Sequence, residues 1–174
     1  MGLFGLNAFP VTVEASISAG QPSFDIVGMP DIAVQESKAR IRAVLGQLEL
    51  KLLGGKVTVN LAPASVKKIG SMFDLPIIIA LMRLGGIISS ELTDTAFIGE
   101  LSLDGALAPV NGALSMVLTA SKNGTKRIFL PIDNAKEASV AEGVEVYGAE
   151  HITQIIEFLQ HGTGLFPEPR YIPP

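Results

Sequence analysis

The sequence predicts a mixed α/β domain of the α+β kind, in which a layered sheet is covered by helices. Segments with apolar residues at every second position alternate along the chain with segments in which apolar residues recur every three to four positions. Clusters of glycine, proline, asparagine and aspartate separate these segments. The 174 residues, 48% of them hydrophobic, are enough for one substantial core.

The first half of the chain predicts two strands, a helix and a third strand. Residues 11–18, VTVEASIS, alternate apolar with polar side chains, and SFDIVG follows after the turn GQP, so we expect the two to form a hairpin. Asp31 is the expected N-cap of a helix with one apolar face. Glu36 and Arg40 lie four residues apart on its exposed side and can pair. Residues 56–64, KVTVNLAPA, predict the third strand.

The second half continues the alternation of strands and helices. A helix that begins within FDLP is expected to end at Gly85-Gly86, and the Asp104-Gly105 dipeptide predicts a hairpin. Helix, strand, helix, strand and helix then follow in NGALSMVLTASKNG, KRIFLP, DNAKEASVAEG, VEVYGA and HITQIIEFLQHG. The tail, GTGLFPEPRYIPP, is rich in proline and lacks periodicity. We therefore expect a domain over residues 1–161 and a linker over residues 162–174.

Composition excludes several kinds of function. Without cysteine the chain has no disulfide, no thiolate nucleophile and no cysteine metal site. The longest apolar run, LPIIIALM, is far below the about 18 residues that span a bilayer, and no secretory signal is present, so we expect a cytoplasmic protein without membrane contact. A net charge of −4 does not favour nucleic-acid binding. Neither G-x-x-x-x-G-K-[ST] nor a G-x-G-x-x-G motif after a strand occurs, so this chain has no phosphate loop.

The stretch KKIGSMFDLPIIIALM has the layout of a nucleophile presented at the start of a helix. Ser71 with Lys67 or Lys68 would form a serine–lysine pair if burial lowered the lysine pKa. The pattern instead predicts a solvated turn there, in which a lysine stays protonated. Asp74 is the expected helix cap, with Pro76 in the first turn.

Basic and imidazole side chains give weaker signals. A local patch that meets DNA or a partner is one interpretation of the basic residues near the first helix and this turn, and a solvated face is the other. The candidate residues for this patch are Lys38, Arg40, Arg42, Lys67 and Lys68. His151 and His161 are too far apart for one helical turn and lack acidic neighbours at ligand spacing, so we expect solvated histidines and no metal site.

Four stretches together resemble one known family. They are FDIVGMPDIAVQESKARIRAVL, VTVNLAPASVKKIGSMFDLPIIIALM, FIGELSLDGALAPVNGALSMVLTASKNG and IFLPIDNAKEASVAEGVEVYGAEHITQIIEFL. The combination of NLAPA with FDLP, GELSLDG and LP-x-x-NA is similar to the N-terminal domain of the ComM-type (YifB) magnesium chelatase-like proteins. The resemblance runs from about Leu6 to Leu159.

The resemblance implies both a fold and a setting. The family's domain is similar to the proteolytic domain of Lon and the C-terminal domain of RadA, with the ribosomal protein S5 domain 2-like fold. In the family it precedes an AAA+ ATPase domain, to which the linker would lead. The ATPase domain would bind ATP and Mg²⁺, whereas this fragment is expected to bind no cofactor. The implied partners are that domain, other copies in a hexamer, and DNA during branch migration in natural transformation.

The likeness to Lon also bears on catalysis. Asp74 stands where Lon has its serine nucleophile, and Met116 lies nearest the position of its lysine, so the resemblance implies degenerate positions and no catalytic residue. An aspartate cannot replace the serine, nor a methionine the lysine. Ser71 and Ser115 are close but out of register. A non-catalytic accessory domain is the first expectation, and a Ser–Lys peptidase that uses Ser71 or Ser115 is the alternative.

Overall fold

The computed structural model describes residues 2–4 and 7–174. Met1, Gly5 and Leu6, which belong to the predicted domain, lie outside the described residues. The helices are α1 (Ile32–Gln35), α2 (Ser37–Gln47), α3 (Asp74–Leu84), α4 (Ala113–Lys122), α5 (Ile132–Ala138) and α6 (Ile152–His161). The strands are β1 (Gly2–Phe4), β2 (Asn7–Phe9), β3 (Thr12–Ser18), β4 (Ser23–Val27), β5 (Lys56–Ala62), β6 (Thr95–Phe97), β7 (Glu100–Leu101), β8 (Leu107–Ala108), β9 (Arg127–Pro131) and β10 (Glu145–Ala149). The predicted mixed α/β class is confirmed.

The first three-stranded sheet has the order β3-β5-β4. The predicted hairpin of β3 with β4 is wrong, because β5 lies between them, antiparallel to β3 and parallel to β4. Val57, Val59 and Leu61 of β5 are fully buried, so this strand takes the central place. The helices α1 and α2 provide the long crossover that a parallel pair requires.

The helix predicted after Asp31 forms as two segments. Asp31 is the N-cap, as predicted, and its Oδ1 accepts a hydrogen bond of 2.8 Å from the Val34 backbone N–H. The chain turns at Glu36, which separates α1 from α2. The predicted pair with Arg40 is present, with 3.9 Å between Arg40 Nη1 and Glu36 Oε2.

The second three-stranded sheet has the order β10-β9-β6 and is parallel throughout. Its core includes stacked rings, with 5.3 Å between the centroids of Phe97 and Phe129 and 5.0 Å between those of Phe129 and Tyr147. The hairpin predicted at Asp104-Gly105 is confirmed by the antiparallel pair β7–β8. Gly105 has a φ of +96°, which suits glycine in such a turn.

Helix α3 is the centre of the core. It packs against α2, β3, β6 and β7, and it is apolar on nearly every side because neighbours surround it. Ile77, Ile78 and Met82 are completely buried. The helix ends at the predicted place, with Gly85 as its C-cap.

The proline-rich tail, residues 162–174, forms no helix or strand but follows the domain closely. Leu165 is buried, the Glu168 N–H donates to the Val146 carbonyl at 2.7 Å, and the Tyr171 N–H donates to Ser139 Oγ at 3.1 Å. The part of the predicted linker up to Tyr171 is therefore packed against β10 and the end of α5. Across the described ranges, no helix is both long and apolar enough to cross a membrane.

Candidate functional site

Asp74 lies at the centre of a buried polar cluster at the start of α3. The N-cap of this helix is Phe73, and no side chain caps it, so the predicted capping role of Asp74 is wrong. Its Oδ2 instead accepts hydrogen bonds from Arg40 Nε at 2.6 Å and from the Leu101 N–H at 3.0 Å. Its Oδ1 accepts from Arg40 Nη2 at 3.0 Å and from Ser37 Oγ. The carboxylate thus joins α2, α3 and β7.

The cluster contains one negative charge, on Asp74, and one positive charge, on Arg40, both largely shielded from water. The Asp74 side chain is 0% exposed and that of Arg40 is 17% exposed, so water screens the pair weakly. The hydrogen bond to Asp74 raises the pKa of Arg40 above its ordinary value, although burial acts in the opposite direction. Two hydrogen bonds between the planar guanidinium and the carboxylate give the pair a fixed geometry. Arg40 therefore points inward and does not belong to the predicted DNA-facing patch.

Ser71 forms a second polar contact close to this cluster. Its Oγ donates to Glu100 Oε2 at 2.5 Å, and Glu100 directly precedes Leu101, whose N–H binds Asp74. A serine nucleophile needs a basic group that removes its proton. Here the partner is the carboxylate of Glu100, whose negative charge also acts on Arg40. The hydrogen bond from Ser71 to Glu100 holds the loop before α3 against β7.

Lys68 departs most from the sequence-based expectation. The sequence predicts a solvated turn at this position, but the Lys68 side chain is fully buried. Its Nζ donates to the Gly28 carbonyl at 2.7 Å and to the Pro63 carbonyl. Burial lowers the pKa of Lys68 below the ordinary value of a lysine. The ammonium thus ties two loops together and is not available to DNA.

The loops that Lys68 joins run side by side. Pro30 and Lys68 form a parallel bridge, the Asp31 N–H donates to the Lys68 carbonyl at 2.9 Å, and the Lys68 N–H donates to the Met29 carbonyl at 2.9 Å. Gly28, with a φ of +103°, has no room for a side chain, because a Cβ would lie 2.2 Å from the Leu61 carbonyl oxygen.

The remaining basic candidates have more solvent access. Lys67 and Arg42 are exposed, and Lys38 is half-buried. The Arg42 guanidinium lies over the ring of Phe24, 5.7 Å from its centroid. Only Lys38, Arg42 and Lys67 of the five predicted patch residues therefore present charge near the surface.

Ser115 and Met116, near which the resemblance to Lon would place a lysine, lie in α4. Met116 is fully buried and Ser115 is half-buried. Among residues 2–4 and 7–174, no hydrogen bond joins Ser71 or Ser115 to a lysine, since Ser71 binds Glu100 and Lys68 binds backbone carbonyls. Within the same residues, no cluster of three or more histidine, cysteine, aspartate or glutamate side chains is arranged to hold a metal ion.

His151 is a structural residue and not the solvated histidine that the sequence predicts. Its Nδ1 caps α6 by accepting from the Thr153 N–H at 3.2 Å. Its Nε2 lies 2.8 Å from the Asp104 carbonyl oxygen and therefore connects α6 to the β7–β8 hairpin. His161, in contrast, is exposed at the end of α6, as predicted.

Sequence reasoning missed Ser37 and Glu100 as members of the polar cluster. Ser37 was a detectable signal, because it interrupts an otherwise apolar helix face and lies three residues before Arg40. A buried serine on such a face needs a partner. Glu100 gave no such signal, because its contact with Ser71 depends on how the turn before β7 folds back on α3.

Comparisons with known proteins agree with this structure. The family model described as subunit ChlI of Mg-chelatase matches residues 13–134. The chain is 38% identical over 157 residues to the uncharacterized protein YifB of Escherichia coli, covering 90% of this chain and 31% of that protein. It is 35% identical over 156 residues to the competence protein ComM of Haemophilus influenzae, covering 89% of this chain and 30% of that protein.

A more distant likeness extends to Lon proteases. The peroxisomal Lon protease homolog 2 of Spinacia oleracea is 28% identical over 168 residues, covering 86% of this chain and 19% of that protein. This likeness agrees with the expected Lon-like fold. The chain spans about a third of the length of the YifB and ComM relatives. With a family match over most of its length and these two relatives, the chain belongs to the Mg-chelatase subunit ChlI-like family that includes YifB and ComM.

Proposed function

We propose that this chain is a non-catalytic accessory domain of a ComM-type AAA+ ATPase, in which it supports oligomer assembly or DNA engagement during branch migration. The observation that carries the proposal is the role of Asp74, which the resemblance to Lon would place at the position of the nucleophile. Its carboxylate is fully buried and bound to Arg40, Ser37 and the Leu101 N–H. This cluster serves to position α2, α3 and β7, and it offers neither a nucleophile nor a base.

The ATPase activity would reside elsewhere in a longer protein. The Haemophilus influenzae relative is named a competence protein, which supports a role with DNA. This chain contains no G-x-x-x-x-G-K-[ST] motif. It therefore lacks the phosphate loop that would bind ATP and Mg²⁺. In the proposal both bind to the ATPase domain, and the assembled ring is a hexamer.

Deletion of residues 1–161 from the full-length protein tests the accessory role. Sedimentation with ATP and Mg²⁺ measures assembly, and fluorescence anisotropy with branched DNA measures DNA binding. We expect the deletion to weaken at least one of them. Unchanged assembly together with unchanged DNA affinity would contradict the proposal.

Charge reversal separates DNA engagement from assembly. A triple variant replaces the accessible patch residues, Lys38→Glu, Arg42→Glu and Lys67→Glu. A control replaces exposed lysines elsewhere, Lys56→Glu, Lys122→Glu and Lys126→Glu. DNA affinity is plotted against salt concentration on logarithmic axes. If the patch binds phosphates, the steepness of this plot decreases by about 0.9 for each phosphate that is no longer neutralised. We expect this decrease in the patch variant and not in the control. Equal effects of the two variants would reject the patch and leave assembly as the function.

The Ser–Lys peptidase alternative has less support. Ser71 binds Glu100, and Lys68 is committed to two backbone carbonyls. A fluorophosphonate probe tests the alternative directly. Labelling that disappears in Ser71→Ala or Ser115→Ala would show an activated serine, would support the peptidase alternative and would overturn the non-catalytic proposal.

A further inference from the structure

The proline-rich tail lies along a groove that the end of α5 and β10 form. This tail groove is lined by Ser139, Ala141, Val144 and Val146. Glu168 and Arg170 of the tail border it from the other side, and a space of about 250 Å³ remains between them and the groove. The tail therefore touches the groove at separate points and does not fill it as a core side chain fills its site.

The contacts between the tail and its groove are specific but shallow. Leu165 is the apolar anchor, with 8% of the residue exposed. The backbone N–H groups of Glu168 and Tyr171 donate to the groove. Arg170 pairs with Glu142, but their side chains are 53% and 75% exposed, so water weakens this ion pair. Local release of such a segment needs far less free energy than unfolding of the domain.

A glycine hinge precedes the tail. Gly162 ends α6 with a φ of +73°, and Gly164 has a φ of +96°. Glycine takes positive and negative φ about equally well, so the chain direction can change at both residues without strain. The contacts from Leu165 onward stay the same after such a change. The three hinge residues span at most about 10 Å, so a redirected tail reaches only a domain that lies directly beside its own.

The tail itself is suited to bind between two domains. Proline at four of its positions keeps it extended after release, so it loses little conformational freedom when it docks again. Phe166 and Ile172 are 84% and 73% exposed while the tail lies on its own domain. A tail that passes from one copy to the next lies between two domains, where both side chains gain apolar contacts.

We propose that the tail groove is an interface between copies of this chain, and that its occupant in the associated form is the tail of a second copy. Two copies that exchange tails keep every contact that one copy makes with its own tail. A tail on a short hinge has an effective concentration in the roughly millimolar range, so the exchange competes at similar protein concentrations. This proposal does not depend on the proposed accessory function.

Cross-linking between different copies tests the exchange, because the chain contains no cysteine of its own. One variant carries Glu142→Cys in the groove, and a second carries Arg170→Cys in the tail. The native ion pair brings these two side chains together. The variants are mixed at about 1 mM and at an about hundredfold lower concentration, to lie near and far below the effective concentration of the tail. A short bismaleimide joins neighbouring thiols, and a denaturing gel separates covalent dimers.

We expect covalent dimers at the higher concentration, and fewer after dilution. The control mixture replaces Glu142→Cys by Lys56→Cys, an exposed position on β5, and should give at least about tenfold fewer dimers. A tail that carries Leu165→Asp together with Arg170→Cys should also lose the cross-link, because a carboxylate does not replace the apolar anchor. A dimer yield equal to that of the Lys56 control, or unchanged by Leu165→Asp, would overturn the proposal.

A double variant, Glu142→Cys with Arg170→Cys in one chain, reports the tail on its own domain. At the lower concentration we expect an internal cross-link and a monomer by sedimentation. An internal cross-link here, without covalent dimers in the concentrated mixture, would show that the tail stays on its own copy, and the proposal would fail. A missing internal cross-link would contradict the tail groove itself.

Discussion

Arg40 and Asp74, which lie 34 residues apart in sequence, form a buried ion pair with 2.6 Å between Arg40 Nε and Asp74 Oδ2. The pair links α2 to the first turn of α3, and the Leu101 N–H extends it to β7. A buried pair of this kind contributes little over an apolar replacement, but the loss of one partner leaves a charge without compensation.

We therefore expect Asp74→Ala to lower the free energy of unfolding by about 3–5 kcal/mol. Arg40→Ala should cost a similar amount, and the double variant should cost less than the sum, because the second change removes the stranded charge. Urea unfolding followed by circular dichroism measures all three. The control is Glu36→Ala, since Glu36 is exposed and lies 3.9 Å from Arg40. Equal losses in Asp74→Ala and Glu36→Ala would contradict the role of the cluster.

Gly28 and Gly46 provide a matched pair of glycine substitutions. Gly28→Ala combines a positive φ with a Cβ only 2.2 Å from the Leu61 carbonyl oxygen. We expect a loss of more than about 2 kcal/mol in thermal or urea unfolding. Gly46 lies in α2 with nothing within 4 Å of an added Cβ, so Gly46→Ala should gain about 0.5–1 kcal/mol. A tolerated alanine at Gly28 would show that the loop relaxes.

Lys68 should make stability depend on pH in the alkaline range. Its pKa in the folded state is lowered by burial from 10.5, so the unfolded chain binds more protons between the lowered value and 10.5. Stability from this group therefore rises as the pH rises through that window. Lys68→Met should lose this rise in stability. It should also lower the free energy of unfolding at pH 7 by about 1–3 kcal/mol, because the Gly28 and Pro63 carbonyls lose their donor.

Lys67→Met is the control for this experiment, because Lys67 is exposed and adjacent. We expect a change within about 0.5 kcal/mol and no altered pH dependence. Urea unfolding at several values between pH 7 and 10.5 measures both variants. A wild-type and a Lys68→Met curve that run parallel over this range would refute the expected linkage.

Tyr147 should lower the stability of the protein as the pH rises, which is opposite to the effect of Lys68 and occurs at higher pH. Burial and the hydrogen bond from its hydroxyl to Glu145 Oε2, at 2.6 Å, raise the pKa of Tyr147 from 10.0 to about 12. The folded state then holds the proton more tightly, so stability falls as the pH rises through this window. Tyr147→Phe keeps the ring stacked on Phe129 and should remove this alkaline loss, which is about 2–3 kcal/mol over the whole window. Identical alkaline slopes for the two proteins would contradict it.

The tail should contribute to the stability of the domain. Removal of residues 162–174 exposes the surface that Leu165 covers, and we expect a loss of about 1.5–3 kcal/mol from this burial alone. Removal of residues 172–174, which are exposed, is the control and should have no measurable effect. Thermal unfolding compares the two truncations. If both unfold at the temperature of the intact chain, the tail is a linker as the sequence predicted.

Local patterns predicted most of the fold. Turn and cap signals at Asp31, Gly85 and Asp104-Gly105 have consequences within a few residues, and the structure confirms each of them. The predicted pairing of β3 with β4 is wrong because period-2 patterns identify strands and not their neighbours. A strand distant in sequence replaced the adjacent one.

The polar site was less predictable, because it too depends on contacts between residues that are distant in sequence. The residue types of Asp74 and Arg40 indicated charge, and only the tertiary arrangement determined whether that charge faced solvent or protein. The two lysines at 67 and 68 look equivalent in sequence, yet one is exposed and the other buried. That difference depends on the carbonyls of Gly28 and Pro63, and the sequence near the lysines does not encode their approach.

The adjacent pair Lys67 and Lys68 gives the domain a built-in reporter of loop opening. An amine-reactive reagent reaches the exposed ammonium of Lys67 in the native state, whereas the buried ammonium of Lys68 reacts only when the loop separates from Gly28. The ratio of the two labels, read by mass spectrometry, therefore measures the fraction of time the loop is open. In a larger assembly, the same ratio would report whether nucleotide or DNA changes this loop.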